Sequence, residues 1–130
     1  MKKNHVFPVL VLTFVFAAFI LMASEKPAPT KAKGEMPENV KAIVEKSCFG
    51  CHNTDSRNED AKEDLDFKTF DKLSKIKKIG KLKHIIETVE EAKMPPKKFL
   101  EKYPDKKLTA DEAKILTEWA KNEAASLIKQ

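Results

Sequence analysis

Cys48-Phe49-Gly50-Cys51-His52 is a Cys-x-x-Cys-His pentapeptide, and it holds both cysteines of the 130-residue chain. Two thiols separated by two residues can each add to one vinyl group of a porphyrin. The histidine directly after the second thiol is then held beneath the iron, where an imidazole nitrogen can ligate it. The spacing therefore predicts attachment of one covalently bound haem c, with Cys48 and Cys51 as thioether donors and His52 as an axial ligand. Other uses of two such thiols fit the chain less well. A thioredoxin-like redox pair wants a strand-then-helix context, and period-2 alternation is absent. A structural zinc site needs a second ligand pair, and the remaining histidines are His5, in an apolar N-terminal run, and His84. A disulfide across so short a loop restrains the chain little.

Residues 6–23 carry no charge, are apolar apart from Thr13, and follow Lys2 and Lys3. A positive start before an apolar run is the layout of an export signal, and covalent haem attachment in bacteria follows export. Small residues occur at Ala23-Ser24, although Leu21 and Met22 make a poor cleavage site. As a helix the run would span ~27 Å, close to the hydrocarbon thickness of a bilayer, so an uncleaved anchor fits as well as a removed signal. The expected location is the periplasm or the outer face of the bacterial inner membrane, with membrane contact through residues 6–23. Residues 1–24 are thus a signal peptide or anchor, and 25–34 a polar, proline-containing linker. Residues 35–130 form one small domain, whose modest core would gain a large apolar surface from a buried haem.

The formal charge of +5 falls to +3 without Lys2 and Lys3, and its distribution says more. From Asp55 to Asp71 there are seven acids against three bases; from Lys72 to Lys83 there are six lysines and no acid. These are solvated faces, or a dipolar surface that orients the molecule toward a charged redox partner. A single arginine, Arg57, and the exported compartment argue against nucleic acid as a partner.

Helical spacing dominates. Pro37 suits a first helical position, and Val40, Ile43, Val44 and Ser47 follow at i, i+3, i+4 and i+7. Asn53 to Asp64 lacks an apolar period and is expected to be loop. Leu73, Ile76 and Ile79 keep helical spacing up to Gly80, and Leu82, Ile85, Ile86 and Val89 predict a helix over about 81–92; Gly80 costs only ~1 kcal/mol inside a helix and leaves open whether the two are continuous. Met94-Pro95-Pro96 must leave the helix, and the stretch through Phe99, Tyr103 and Pro104 reads as loop with at most one turn. Thr109-Ala110-Asp111-Glu112 is a capping box. It starts a last helix with Ala113, Leu116, Ala120, Ala124 and Leu127 on one side, widened by Ile115, Trp119 and Ile128. The first and last helices are expected to pack together over the haem.

A second axial ligand must come from elsewhere in the chain or be absent. Met94 offers a soft thioether in a loop stiffened by two prolines, about forty residues beyond His52. A methionine is more often core filling. Met36, beside Pro37, is a poorer candidate, and His84 competes from a helix next to an apolar stripe.

Ser47-Cys48-Phe49-Gly50-Cys51-His52-Asn53, Leu65-Asp66-Phe67 and Met94-Pro95-Pro96-Lys97-Lys98-Phe99 come in that order. With Tyr103-Pro104, Leu108-Thr109, Glu112 and Trp119-Ala120, the set resembles the bacterial haem-binding domain family of small monohaem c-type cytochromes over roughly residues 40–122. The resemblance implies an all-α, cytochrome c-like fold around one haem, with Cys48 and Cys51 attaching it, His52 proximal and Met94 distal. The chain departs from the family in two places. Asn58-Glu59-Asp60-Ala61 is polar where members usually carry an aromatic-rich segment, and Tyr103 stands where many have His. The expected function is one-electron transfer rather than catalysis, with an acidic redox protein as partner. The alternatives are a haem-based sensor with an open or displaceable sixth position and, further off, a peroxidase-like enzyme using His84.

Overall fold

The computed structural model describes residues 35–130, and among these it is all helical, without strands. The proposed signal or anchor and the linker lie outside the described residues. Among the described residues no helix is long and apolar enough to cross a membrane.

Helix α1 spans Glu38–Ser47, with Pro37 at its N-cap rather than inside it. Its four periodic residues, Val40, Ile43, Val44 and Ser47, are all buried. Helix α2, Glu59–Asp64, corrects the expectation of a loop between Asn53 and Asp64. It buries no residue, so the apolar periodicity that normally betrays a helix is missing. Asn58 caps it instead, accepting the Ala61 N–H at 3.1 Å. A 3-10 turn, Phe70–Lys72, then places Phe70 in the core.

Helix α3 runs unbroken over Lys75–Glu90, two turns longer at its start than the 81–92 reading. Gly80 lies within it, and the cost of that glycine is offset by burying Leu82 and Ile85. Ala92 ends α3 in the left-handed region at φ 52. Its N–H reaches the Val89 carbonyl at 3.1 Å, and the Lys93 N–H reaches Thr88 at 2.8 Å. This is a Schellman closure with alanine where glycine is usual. Helix α4, Lys97–Lys102, and a 3-10 turn, Pro104–Lys106, give the Phe99–Pro104 stretch more structure than expected. Pro96 at the α4 N-cap explains the restart, because a residue with no N–H loses nothing there.

Helix α5 spans Ala110–Ile128, and both halves of the Thr109–Glu112 capping box are present. Leu116, Ala120 and Ala124 are buried, as is Thr117, whose hydroxyl donates back to the Ala113 and Lys114 carbonyls. Ile128 does not widen this face: it is 65% exposed. At 100° per residue it falls about 120° round the helix from Leu116. Residues of α1, α3 and α5 share one core with Leu65 and Phe70. The first and last helices do meet, but the more extensive packing joins α3 to α5. In the last turn of α1, Lys46 grips Glu112 of α5 at 2.5 Å. That ammonium, with the Thr109 N–H, holds the Glu112 carboxyl below its ordinary range.

Candidate haem site

The chain turns sharply after α1. The N–H groups of Cys51 and His52 both reach the Cys48 carbonyl at 3.1 Å, so the pentapeptide is folded back on itself. Asn53, buried behind it, donates from its amide to the Phe49 carbonyl and accepts the Asp55 N–H at 2.8 Å. Burial, and next the neighbouring Cys51, push the Cys48 thiol up to about 11, so it is a neutral thiol at physiological pH.

His52 is oriented from the middle of α2 and from its C-cap residue, Leu65. Its Nδ1 lies 2.8 Å from the Ala61 carbonyl and 3.1 Å from that of Leu65. Two acceptors make Nδ1 the donor, which leaves Nε2 with a free lone pair for a metal. The Phe67 ring meets the imidazole edge-on, with centroids 6.5 Å apart and planes at 85°. Phe67, Phe70 and Trp119 continue in a row at 6.5 Å per step.

Two adjoining hollows share Cys48, His52 and Met94. The inner one is walled by Leu65, Phe67, Ile85, Val89 and Leu116; the outer one by Cys51, Pro95, Pro96 and Phe99. Met94 is carried there by the turn that closes α3, its N–H lying 3.2 Å from the Thr88 carbonyl. Both thiols, the imidazole and the thioether therefore face one apolar crevice. Ser47 also borders the outer hollow, and its buried hydroxyl has no hydrogen-bond partner among the described residues.

His84 touches the inner hollow only, and half its side chain is exposed. Its Nε2 lies 3.4 Å from Asp64 Oδ2, and the other carboxylate oxygen, Oδ1, faces the Lys81 ammonium at 3.4 Å. Met36 lines a separate pocket with Phe67, Phe70 and Trp119, away from both hollows. The two charge runs partly neutralise each other: Lys81 pairs with Asp64, and Lys78 approaches Asp71 at 4.0 Å. The carbonyls of Ala61 and Leu65 are site groups that sequence reasoning missed. The nearest signal was Asn58 followed three residues later by a small helix former.

These donors suit a porphyrin with iron at its centre. The crevice is apolar, two thiols stand at its rim, and the facing imidazole has one nitrogen engaged and one free. An all-helical domain built round such a crevice belongs to the class of small haem proteins. Residues 56–122 match the family model described as "Haem-binding domain", half of the chain, so the protein belongs to the haem-binding domain family and binds haem. The match begins after the Cys-x-x-Cys-His pentapeptide and takes in α2, α3, Met94 and most of α5. No curated protein and no solved structure matches the chain.

Proposed function

We propose that the domain is a monohaem c-type cytochrome that carries single electrons outside the cytoplasm and is not an enzyme. In this reading Cys48 and Cys51 hold one haem c through thioethers, His52 is the proximal ligand and Met94 the distal one. The supporting observation is that Cys48, His52 and Met94 border both hollows, with His52 Nδ1 already committed to carbonyls. When bound, haem supplies an iron that alternates between ferric and ferrous states.

The chain's residues account for the rest. Donation from Nδ1 raises the basicity of Nε2 and fixes the ring. A Met94 thioether favours the ferrous state relative to a second imidazole. Leu65, Phe67, Ile85 and Val89 exclude water from the inner hollow. Lys97 and Lys98 lie exposed beside Met94-Pro95-Pro96 and would steer an acidic redox protein, with association slowing as salt rises. The apolar 6–23 run behind Lys2 and Lys3 supports export to the periplasm or anchoring at the membrane's outer face.

The test is protein matured with a haem-attachment system. Haem stain is expected to stay with the polypeptide through denaturing electrophoresis and to vanish in Cys48→Ala/Cys51→Ala. Haem that acid acetone extracts from the wild type would overturn covalent attachment. Met94→Ala is expected to lower the potential and admit carbon monoxide; an unchanged spectrum and potential would reassign the distal ligand, with His84 next. The second reading is a haem-based sensor with an open or displaceable sixth position. Rapid, tight carbon monoxide binding to the reduced wild type would favour the sensor.

A further inference from the structure

We infer that Asn58 is a positioning residue for the axial imidazole, acting through the backbone of Ala61; the inference rests on His52 being the proximal ligand. Ala61 connects the two side chains directly. Its N–H donates to Asn58 Oδ1 at 3.1 Å, and its carbonyl accepts His52 Nδ1–H at 2.8 Å. That carbonyl also accepts the Leu65 N–H at 2.9 Å, so both its lone pairs are used. Leu65 is buried and its own carbonyl is the second acceptor for His52.

The geometry gives Asn58 this role because the other tether on α2, the Asp64 carboxylate facing Lys81 and His84, holds only its last turn. The helix is six residues long and buries none of them. A helix that short does not persist unaided in water. Leu65 pins its end in the core, and Asn58 pins its start. Asn58 also borders the outer hollow with Cys51 and His52, so the cap sits at the site itself. Without the cap the first turn frays and the Ala61 carbonyl loses its fixed direction. Donation from Nδ1 then weakens, the imidazole becomes less electron-rich, and the ferric state loses more stabilisation than the ferrous.

The experiment is a potentiometric titration of the matured holoprotein in wild type, Asn58→Ala and Asn58→Ser, with resonance Raman spectra of the axial iron–histidine bond. Asn58→Ala is expected to move the ferric–ferrous equilibrium toward ferrous by roughly tenfold, about 59 mV for one electron, and to soften the iron–histidine stretch. Asn58→Ser keeps a capping oxygen of equal rank and should stay near wild type. Glu63→Gly loosens α2 without touching Asn58, and should shift the potential in the same direction should the alanine variant fail to fold. A wild-type potential and stretch in Asn58→Ala, or in Glu63→Gly when only that variant folds, would overturn the inference, as would serine behaving like alanine. His52→Ala separates the two layers. If it leaves the axial-ligand spectrum unchanged, the proximal assignment falls and takes the inference with it. If it abolishes that spectrum while Asn58→Ala does nothing, only the inference falls.

Discussion

Helices α5 and α2 are both capped by a side chain three residues ahead of a backbone N–H, yet they persist for opposite reasons. α5 extends over 19 residues and buries Leu116, Thr117, Ala120 and Ala124; its cap adds to stability that packing already supplies. α2 extends over six and buries none, so its cap and its two carbonyl contacts to His52 are most of what defines it. The lesson is a division of labour. The long helices make the frame and wall the inner hollow with Ile85, Val89 and Leu116, whereas the short one gives its backbone groups to the site and buries nothing in the core.

The sharpest way to break this contrast is in the frame. Leu116 is 1% exposed and borders the inner hollow, so Leu116→Ala should cost ~2–5 kcal/mol in chemical denaturation. A loss below ~0.5 kcal/mol would mean that α5 is not the packed element described. An intermediate effect belongs to the polar clasp between α1 and α5. Glu112 has its folded pKa depressed below the ordinary 4.5, chiefly by Lys46, so its contribution is fully present above that value. It is lost as pH falls through the folded pKa. Glu112→Gln keeps the capping box and removes only the charge facing Lys46, so it should cost ~0.5 kcal/mol at neutral pH and flatten the acid limb of the stability curve. A mutant whose acid limb matches wild type would remove Glu112 from the clasp. The smallest effect is expected in α2. Glu63→Gly should change global stability by less than the clasp variant does, while hydrogen exchange at Ala61, Lys62 and Leu65 accelerates. Global destabilisation as large as that of Leu116→Ala would erase the distinction between the two helices.

The same contrast decides what was legible in the sequence. α1 and α5 announce themselves because burying a stripe forces apolar residues into a 3.6 period, and a capping box needs particular side chains at particular offsets. Cys48, Cys51 and His52 stand out because the covalent attachment proposed for them would fix both residue type and spacing. α2 was hidden because Glu59-Asp60-Ala61-Lys62-Glu63-Asp64 has no face to bury. The acceptors on His52 were hidden for a deeper reason: they are carbonyls of Ala61 and Leu65, and every residue has one. The start of α3 was legible only as helical spacing up to Gly80, and its continuity was left open because Ile76 is exposed and Lys75 and Lys77 add nothing to a buried stripe. The dominance of α3–α5 packing over α1–α5 was likewise unreadable, since periodicity marks a buried face without naming its partner.

The aromatic row from His52 through Phe67 and Phe70 to Trp119 has an optical consequence. Trp119 is the only tryptophan in the chain, and three steps of 6.5 Å separate its indole from the imidazole. Haem absorbs where indole emits, and transfer over so short a span is efficient. The folded holoprotein should therefore be nearly dark when excited in the ultraviolet, and should brighten once the row comes apart. The molecule thus carries a built-in gauge, needing no label, of whether α5 still stands against the haem crevice.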